Sequence, residues 1–227
     1  TLSIAPKTAS TTIGLAGASG TLSLDTAELN FISDGFSAIT IGSAAATGKI
    51  TVGSYTFKDT LTLINGTATS NGGMQFTGAV SVLGGSSGTS NLLTLHSRGT
   101  VTQDSGAGLT AYGLELLGAG ATYTLTDGAN AITNLAGNSG IVSFTENSGY
   151  TVTTVGGTTS MTTTGNLALN STGGITLTGN IISGSGTQTY TGPITLSTNQ
   201  INLTSTDALI SFSGSTTKIN GAQALVI

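Results

Sequence analysis

The chain has no cysteine and no tryptophan, only two prolines and one histidine, and few charges. Lys and Arg number 5 and Asp and Glu 9, so 6% of its 227 residues are charged and 5% are aromatic. An average soluble domain is about a quarter charged, so most of the side chains used as acids, bases and metal ligands are missing. The lack of cysteine removes disulfides, thiolate metal sites and thiol catalysis together. A single His96 excludes multi-histidine metal sites. The fixed cations are Lys7, Lys49, Lys58, Arg98 and Lys218, and the net charge is -4. Nucleic acid affinity comes from clustered Lys and Arg on phosphates, and five scattered cations exclude that class. No apolar run approaches the ~20 residues of a spanning helix, and no basic segment leads into an apolar stretch as in a signal peptide. The chain opens on Thr1-Leu2-Ser3-Ile4 without Met and closes on Ala224-Leu225-Val226-Ile227, so it reads as cut from something longer.

Instead there is regular apolar patterning, with a mean hydropathy of +0.28, which argues against disorder. A triplet of apolar, small or polar, then apolar residues recurs from end to end. Examples are Leu22-Ser23-Leu24, Ile39-Thr40-Ile41, Leu61-Thr62-Leu63, Leu93-Thr94-Leu95, Tyr123-Thr124-Leu125, Ile175-Thr176-Leu177 and Ile201-Asn202-Leu203. Alternation over short runs bounded by Gly, Ser and Asn is the pattern of strands with one wet and one dry face. Threonine, about a fifth of the chain, suits such strands because its branched Cβ favours extended backbone. Turns are expected at Gly42-Ser43, Asn71-Gly72-Gly73, Gly84 to Gly88, Gly156-Gly157 and Gly184-Ser185-Gly186.

Three segments place Thr-Gly-x-aliphatic after a large apolar residue: Met74 to Val80, Ile175 to Ile181 and Thr189 to Ile194. The last two lie too close together for separate sandwich modules and favour coils stacked on one axis. The expectation is an all-β chain over residues 1–227, a single right-handed parallel β-helix of about ten coils, each of roughly 20 to 25 residues. One short helical insertion is expected near residues 26–34, where Asp25 and Glu28 form a capping box and Leu29, Ile32 and Phe36 share a face. The run Leu109 to Leu117 fits a strand better than a helix. Phe76, Tyr123, Phe144, Tyr190 and Phe212 fall at apolar strand positions, which predicts aromatic or aliphatic ladders in the core. Neither end shows a cap in the sequence, so end-to-end stacking of subunits is one expectation.

Thr11 to Leu15, Leu22 to Leu29, Gly35 to Gly42, Gly120 to Leu125 with Leu135-Ala136-Gly137, Gly186 to Leu196 and Ile219 to Leu225 together resemble a repeat unit of filamentous haemagglutinin-like bacterial surface proteins. The resemblance covers nearly the whole chain. It implies a β-helical shaft segment, secreted or on the bacterial cell surface, that serves adhesion, matrix or fibre formation. Implied partners are host or bacterial surface glycans or proteins. The secretion-signal domain, haem-pocket motifs and toxin tips of that class are not visible in the sequence.

No enzyme activity, cofactor or metal is expected. His96 and Arg98, outward by alternation with Leu93 and Leu95, are the candidate surface contacts, a glycan being the ligand class. A β-helical polysaccharide lyase or glycoside hydrolase, the alternative, would bring two carboxyl groups and a cation together on neighbouring coils. The acids Asp25, Glu28, Asp34, Asp59, Asp104, Glu115, Asp127, Glu146 and Asp207 look scattered, and only Asp25, Glu28 and Asp34 form a local group. Asp127-Gly128-Ala129-Asn130 reads as a plain turn rather than a calcium loop. Ice binding is a second alternative, through Thr-x-Thr pairs such as Thr60 and Thr62, Thr100 and Thr102, Thr151 and Thr153, Thr176 and Thr178, and Thr204 and Thr206. Their irregular spacing argues against stacking in ranks.

Overall fold

The computed structural model describes residues 1–66, 72–83, 91–198, 200–214, 218–221 and 223–227. The turn at Gly84 to Gly88, Asn71 of the Asn71-Gly72-Gly73 turn and Ala222 of the last repeat-like stretch lie outside the described residues. Most strands are three to five residues long, too short to hold a core alone, and each is completed by the strand above and below it. The result is a parallel β-solenoid of about 8 turns with three faces.

The first face stacks Leu2–Ile4, Ile39–Ser43, Leu61–Asn65 and Leu92–Ser97 on the middle of two long strands, Leu109–Leu125 and Ala131–Glu146. It continues through Met161–Thr163, Ile181–Ile182, Gln200–Thr204 and Ala224–Val226. The second face runs from Ile13–Leu15 through Ile50–Val52, Met74–Phe76 and Thr100–Gln103 to the ends of the long strands, then Leu167–Ser171, Gln188–Thr191 and Ile210–Ser213. The third begins at Tyr55–Phe57 and Val80–Val82 and finishes at Tyr150–Val152, Ile175–Leu177, Ile194–Leu196 and Ile219–Asn220. Leu109 to Leu117 is strand, as its alternation suggested.

Register makes the core a set of ladders. Ile41, Leu63, Leu95 and Leu116 are successive partners on the first face, all with no exposure. Phe144, Leu169, Tyr190 and Phe212 succeed one another on the second, and the Tyr190 and Phe212 rings stack with centroids 5.3 Å apart. Phe76, Tyr123, Phe144 and Tyr190 are fully buried and Phe212 is half-buried, which bears out the aromatic ladders. Two of the three Thr-Gly corners share a device. Thr77 donates both its N–H (2.8 Å) and its hydroxyl (3.2 Å) to the Val52 carbonyl one turn earlier. Thr178 does the same to Val152 at 3.1 and 3.0 Å.

The turns number about 8, a small difference from the expected ten, and their length varies. Thr94 meets Glu115 after 21 residues, whereas Asn65 meets Ser97 after 32. Leu2–Ile4 is rejoined only at Ile39, because the chain first builds a cover. Leu22–Leu24 adds a parallel strand to the outer edge of Ile13–Leu15. The helix Thr26–Asn30 follows, with the expected capping box: Glu28 N–H donates to Asp25 Oδ1 (2.8 Å) and Asp25 N–H to Glu28 Oε2 (2.9 Å). Leu29 is buried in the core, while Tyr55 donates to Asn30 Oδ1 (3.1 Å) and Gly35 N–H to Asp59 Oδ1 (3.1 Å). The helix is shorter than expected and lies over the free edge of the third face. That end of the solenoid is therefore partly capped, contrary to the expectation of two bare ends.

Candidate functional site

On Leu92–Ser97 the burial alternates, so Leu93 and Leu95 enter the core while Thr94 and His96 point outward. His96 sits in register between Ile64 and Leu117 and is half-buried, and Arg98 is exposed at the corner that follows. The outward placement expected for both is what the structure shows. Burial pushes the His96 pKa down, the Arg98 guanidinium pushes it further, and Glu115 opposes both. His96 is therefore biased toward neutral imidazole at neutral pH.

Glu115 was not singled out in the sequence. It also points outward, diagonal to His96 on the next turn, yet it is only 7% exposed. Its cover is an antiparallel hairpin of Thr154–Val155 and Thr158–Thr159, which leaves the third face and folds back over the first. The Thr94 hydroxyl donates to Glu115 Oε2 (2.9 Å) and the Thr158 hydroxyl to Oε1 (2.8 Å). Small residues make room for the hairpin. A Cβ on Gly113 would stand 2.8 Å from Val155 Cγ1, and one on Gly156 would stand 2.5 Å from Glu115 Oε2. Ala136, the in-register neighbour of Glu115, faces out but is fully covered.

The structure also gathers acids that look scattered in sequence. Asp104 and Asp127 line one open groove with Gln103, Ser105, Thr126 and Gly128 on neighbouring turns. Lys49 donates to Gln75 Oε1 (2.6 Å), and Gln75 donates to Asp104 Oδ1 (2.9 Å), so a cation is linked to this pair through one amide. Asp127 serves the corner itself, accepting Gly106 N–H (2.5 Å) and Ala129 N–H (2.8 Å). That is the plain turn read from Asp127 to Asn130. Among the described residues no group of three or more His, Asp or Glu is placed to hold a metal ion.

Threonine pairs stack in register despite their irregular spacing, which overturns the argument that spacing forbids it. Thr100 and Thr102 lie beside Thr122 and Thr124. Thr151, Thr176 and Thr195 follow one another on the third face. Loops absorb the differences in turn length while hydrogen bonding holds the register. These ranks span two or three turns, and Thr178 turns its hydroxyl onto the Val152 carbonyl.

One carboxylate lies inside. Glu146, 1% exposed, accepts Ile132 N–H at Oε2 (2.7 Å) and the Ser148 hydroxyl at Oε1 (2.5 Å). Burial raises its pKa, and the two hydrogen bonds offset this in part. Tyr150, also buried, is raised by burial first and then by the Glu146 and Tyr190 charges. Comparison with protein-family models, with curated proteins and with solved structures returned no match. No helix among the described residues is long and apolar enough to cross a membrane.

Proposed function

We propose that the chain is a shaft segment of a large exported bacterial surface protein of the filamentous haemagglutinin-like class, secreted or held at the cell surface, acting in adhesion, matrix or fibre formation without enzymatic chemistry. The observation that carries this reading is the continuity of the first face, whose parallel pairing passes turn by turn from Leu2–Ile4 to Ala224–Val226. In such a solenoid each turn contacts its neighbours, and stability and stiffness accumulate along the axis. The repeat-like segments quoted above and the shortage of charged side chains agree with a role in length and surface. His96, half-buried, and Arg98, exposed, supply an outward-facing contact for a glycan or protein partner.

The test is an in-frame deletion of residues 1–227 in the parent gene, with protease shaving of intact cells. The shaft reading expects peptides of this segment in the shaved fraction and weaker adhesion after deletion. Release of reducing sugar ends from a polysaccharide by the purified chain would replace it with the carbohydrate-active alternative.

A further inference from the structure

The hairpin over Glu115 is an anomaly in a fold made of stacked parallel strands. Two-residue strands form no stable hairpin by themselves, so this one is held by what it touches. Val155 is buried at 3% exposure in the notch above Gly113, and Thr158 donates to Glu115. Its neck is closed by Ser160 N–H to the Thr153 carbonyl (3.0 Å) and anchored by Thr153 N–H to the Leu135 carbonyl (3.1 Å) and Gly137 N–H to the Ser160 carbonyl (2.9 Å). Ser160 stands at φ 60, the left-handed region that costs a side-chain-bearing residue energy, and its buried hydroxyl has no hydrogen-bond partner. A strained neck therefore joins a small flap to a rigid wall.

Beneath the flap lies a floor of Gly113 and Ala136 with one carboxylate on it, and His96 stands diagonal to that carboxylate on the neighbouring strand. That carboxylate accepts from two hydroxyls, one from the wall and one from the flap. A carboxylate that accepts from hydroxyls suits a ligand rich in hydroxyl groups. We infer that the hairpin is a strap that opens about its neck, and that the recess it covers recognises a polyhydroxylated ligand such as a sugar chain, Thr158 filling in the closed state the acceptor of Glu115 that the ligand takes in the open one. The inference goes beyond the shaft reading and survives its failure, because it concerns one recess and not the parent protein.

One full-length variant and two shortened ones test it. In Thr158→Val, hydrogen exchange of residues 154–159 should quicken about tenfold, the loss of one hydrogen bond to a charged group, while Tyr150–Val152 and Met161–Thr163 keep their protection. Unchanged exchange would overturn the strap. Replacing residues 154–159 by Gly-Gly joins Thr153 to Ser160 across an existing hydrogen bond. On immobilised neutral oligosaccharides this shortened chain should bind at least tenfold better than wild type, and adding Glu115→Ala should abolish the gain. A folded shortened chain with no gain would overturn the recess. Should shortening prevent folding, Thr158→Val decides on the same surface: improved binding supports the recess and unimproved binding overturns it.

Discussion

Replacing Leu95 by Ala tests the ladder directly. Leu95 has no exposure and lies in register between Leu63 and Leu116. Removing three carbons forfeits about 2.4 kcal/mol of transfer free energy at about 0.8 kcal/mol per CH₂. The neighbouring rungs are held by backbone pairing and cannot close the gap. A residual cavity on the order of 60 Å³ adds about 1.5 kcal/mol at roughly 24 cal/mol per Å³. The expected loss is about 4 kcal/mol. Thr62→Ala on the same face is the control, because Thr62 points outward and an exposed-face truncation should stay within about 0.5 kcal/mol. Urea denaturation followed by far-UV circular dichroism reads both. With m of about 3 kcal/mol per M, the Leu95→Ala midpoint should fall by roughly 1.3 M and the Thr62→Ala midpoint by under 0.2 M. Equal shifts, or a Leu95→Ala loss below about 1 kcal/mol, would refute the assignment of inner and outer rows.

Other substitutions probe other parts of the fold. Glu146 has a folded pKa raised above its ordinary 4.5, so its contribution to stability is present below 4.5 and lost as pH rises through the raised value. Glu146→Gln should therefore melt progressively higher than wild type as pH rises from 4 to 7, and parallel melting profiles would contradict the buried-charge account. Gly118 stands at φ 120, and a Cβ there would fall 1.6 Å from the Ser97 carbonyl oxygen. Gly118→Ala should prevent soluble expression or cost more than about 3 kcal/mol in urea, and a neutral result would mean the corner is wrongly placed. The Tyr123 hydroxyl, buried between the Leu95 carbonyl (2.7 Å) and the Leu117 carbonyl (2.6 Å), ties two turns together. Tyr123→Phe should cost about 1 to 1.5 kcal/mol, measured by the same denaturation, with no change in secondary structure.

What could be read from sequence was what repeats locally. Leu61-Thr62-Leu63 and Ile175-Thr176-Leu177 declare strands because period-two burial lies within three residues. The capping box at Asp25 and Glu28 was equally legible, since its partners are three residues apart. The cover formed by that helix was not, because it depends on contacts such as Gly35 with Asp59, 24 residues on. Threonine stacking was misjudged because register is set by hydrogen bonds between turns, and loops hide it from spacing. The Glu115 recess had no local signal, for Thr158 reaches it from 43 residues away. Only Gly156-Gly157 marked the place, and as a turn.

The scarcity of charge follows from the same register. In-register stacking puts like positions of successive turns about 4.8 Å apart. Two like charges at that separation repel by about 0.9 kcal/mol in water and about 3.5 kcal/mol at an effective dielectric constant of 20. A charged column through about 8 turns would incur this at every step. The described rows avoid it: Glu115 lies between Thr94 and Ala136, and His96 between Ile64 and Leu117. Where charges do approach across turns, an amide links cation to acid from Lys49 through Gln75 to Asp104, and the like pair Asp104 and Asp127 shares an open groove that water screens. Hydroxyls at outward positions such as Thr40, Thr62 and Thr94 keep the strands wet without this penalty. A threonine-rich, charge-poor composition thus suits the stacking of many parallel turns, and Glu115 and Glu146, the acids on the long strands, are each covered and hydrogen-bonded instead of stacked on a like charge.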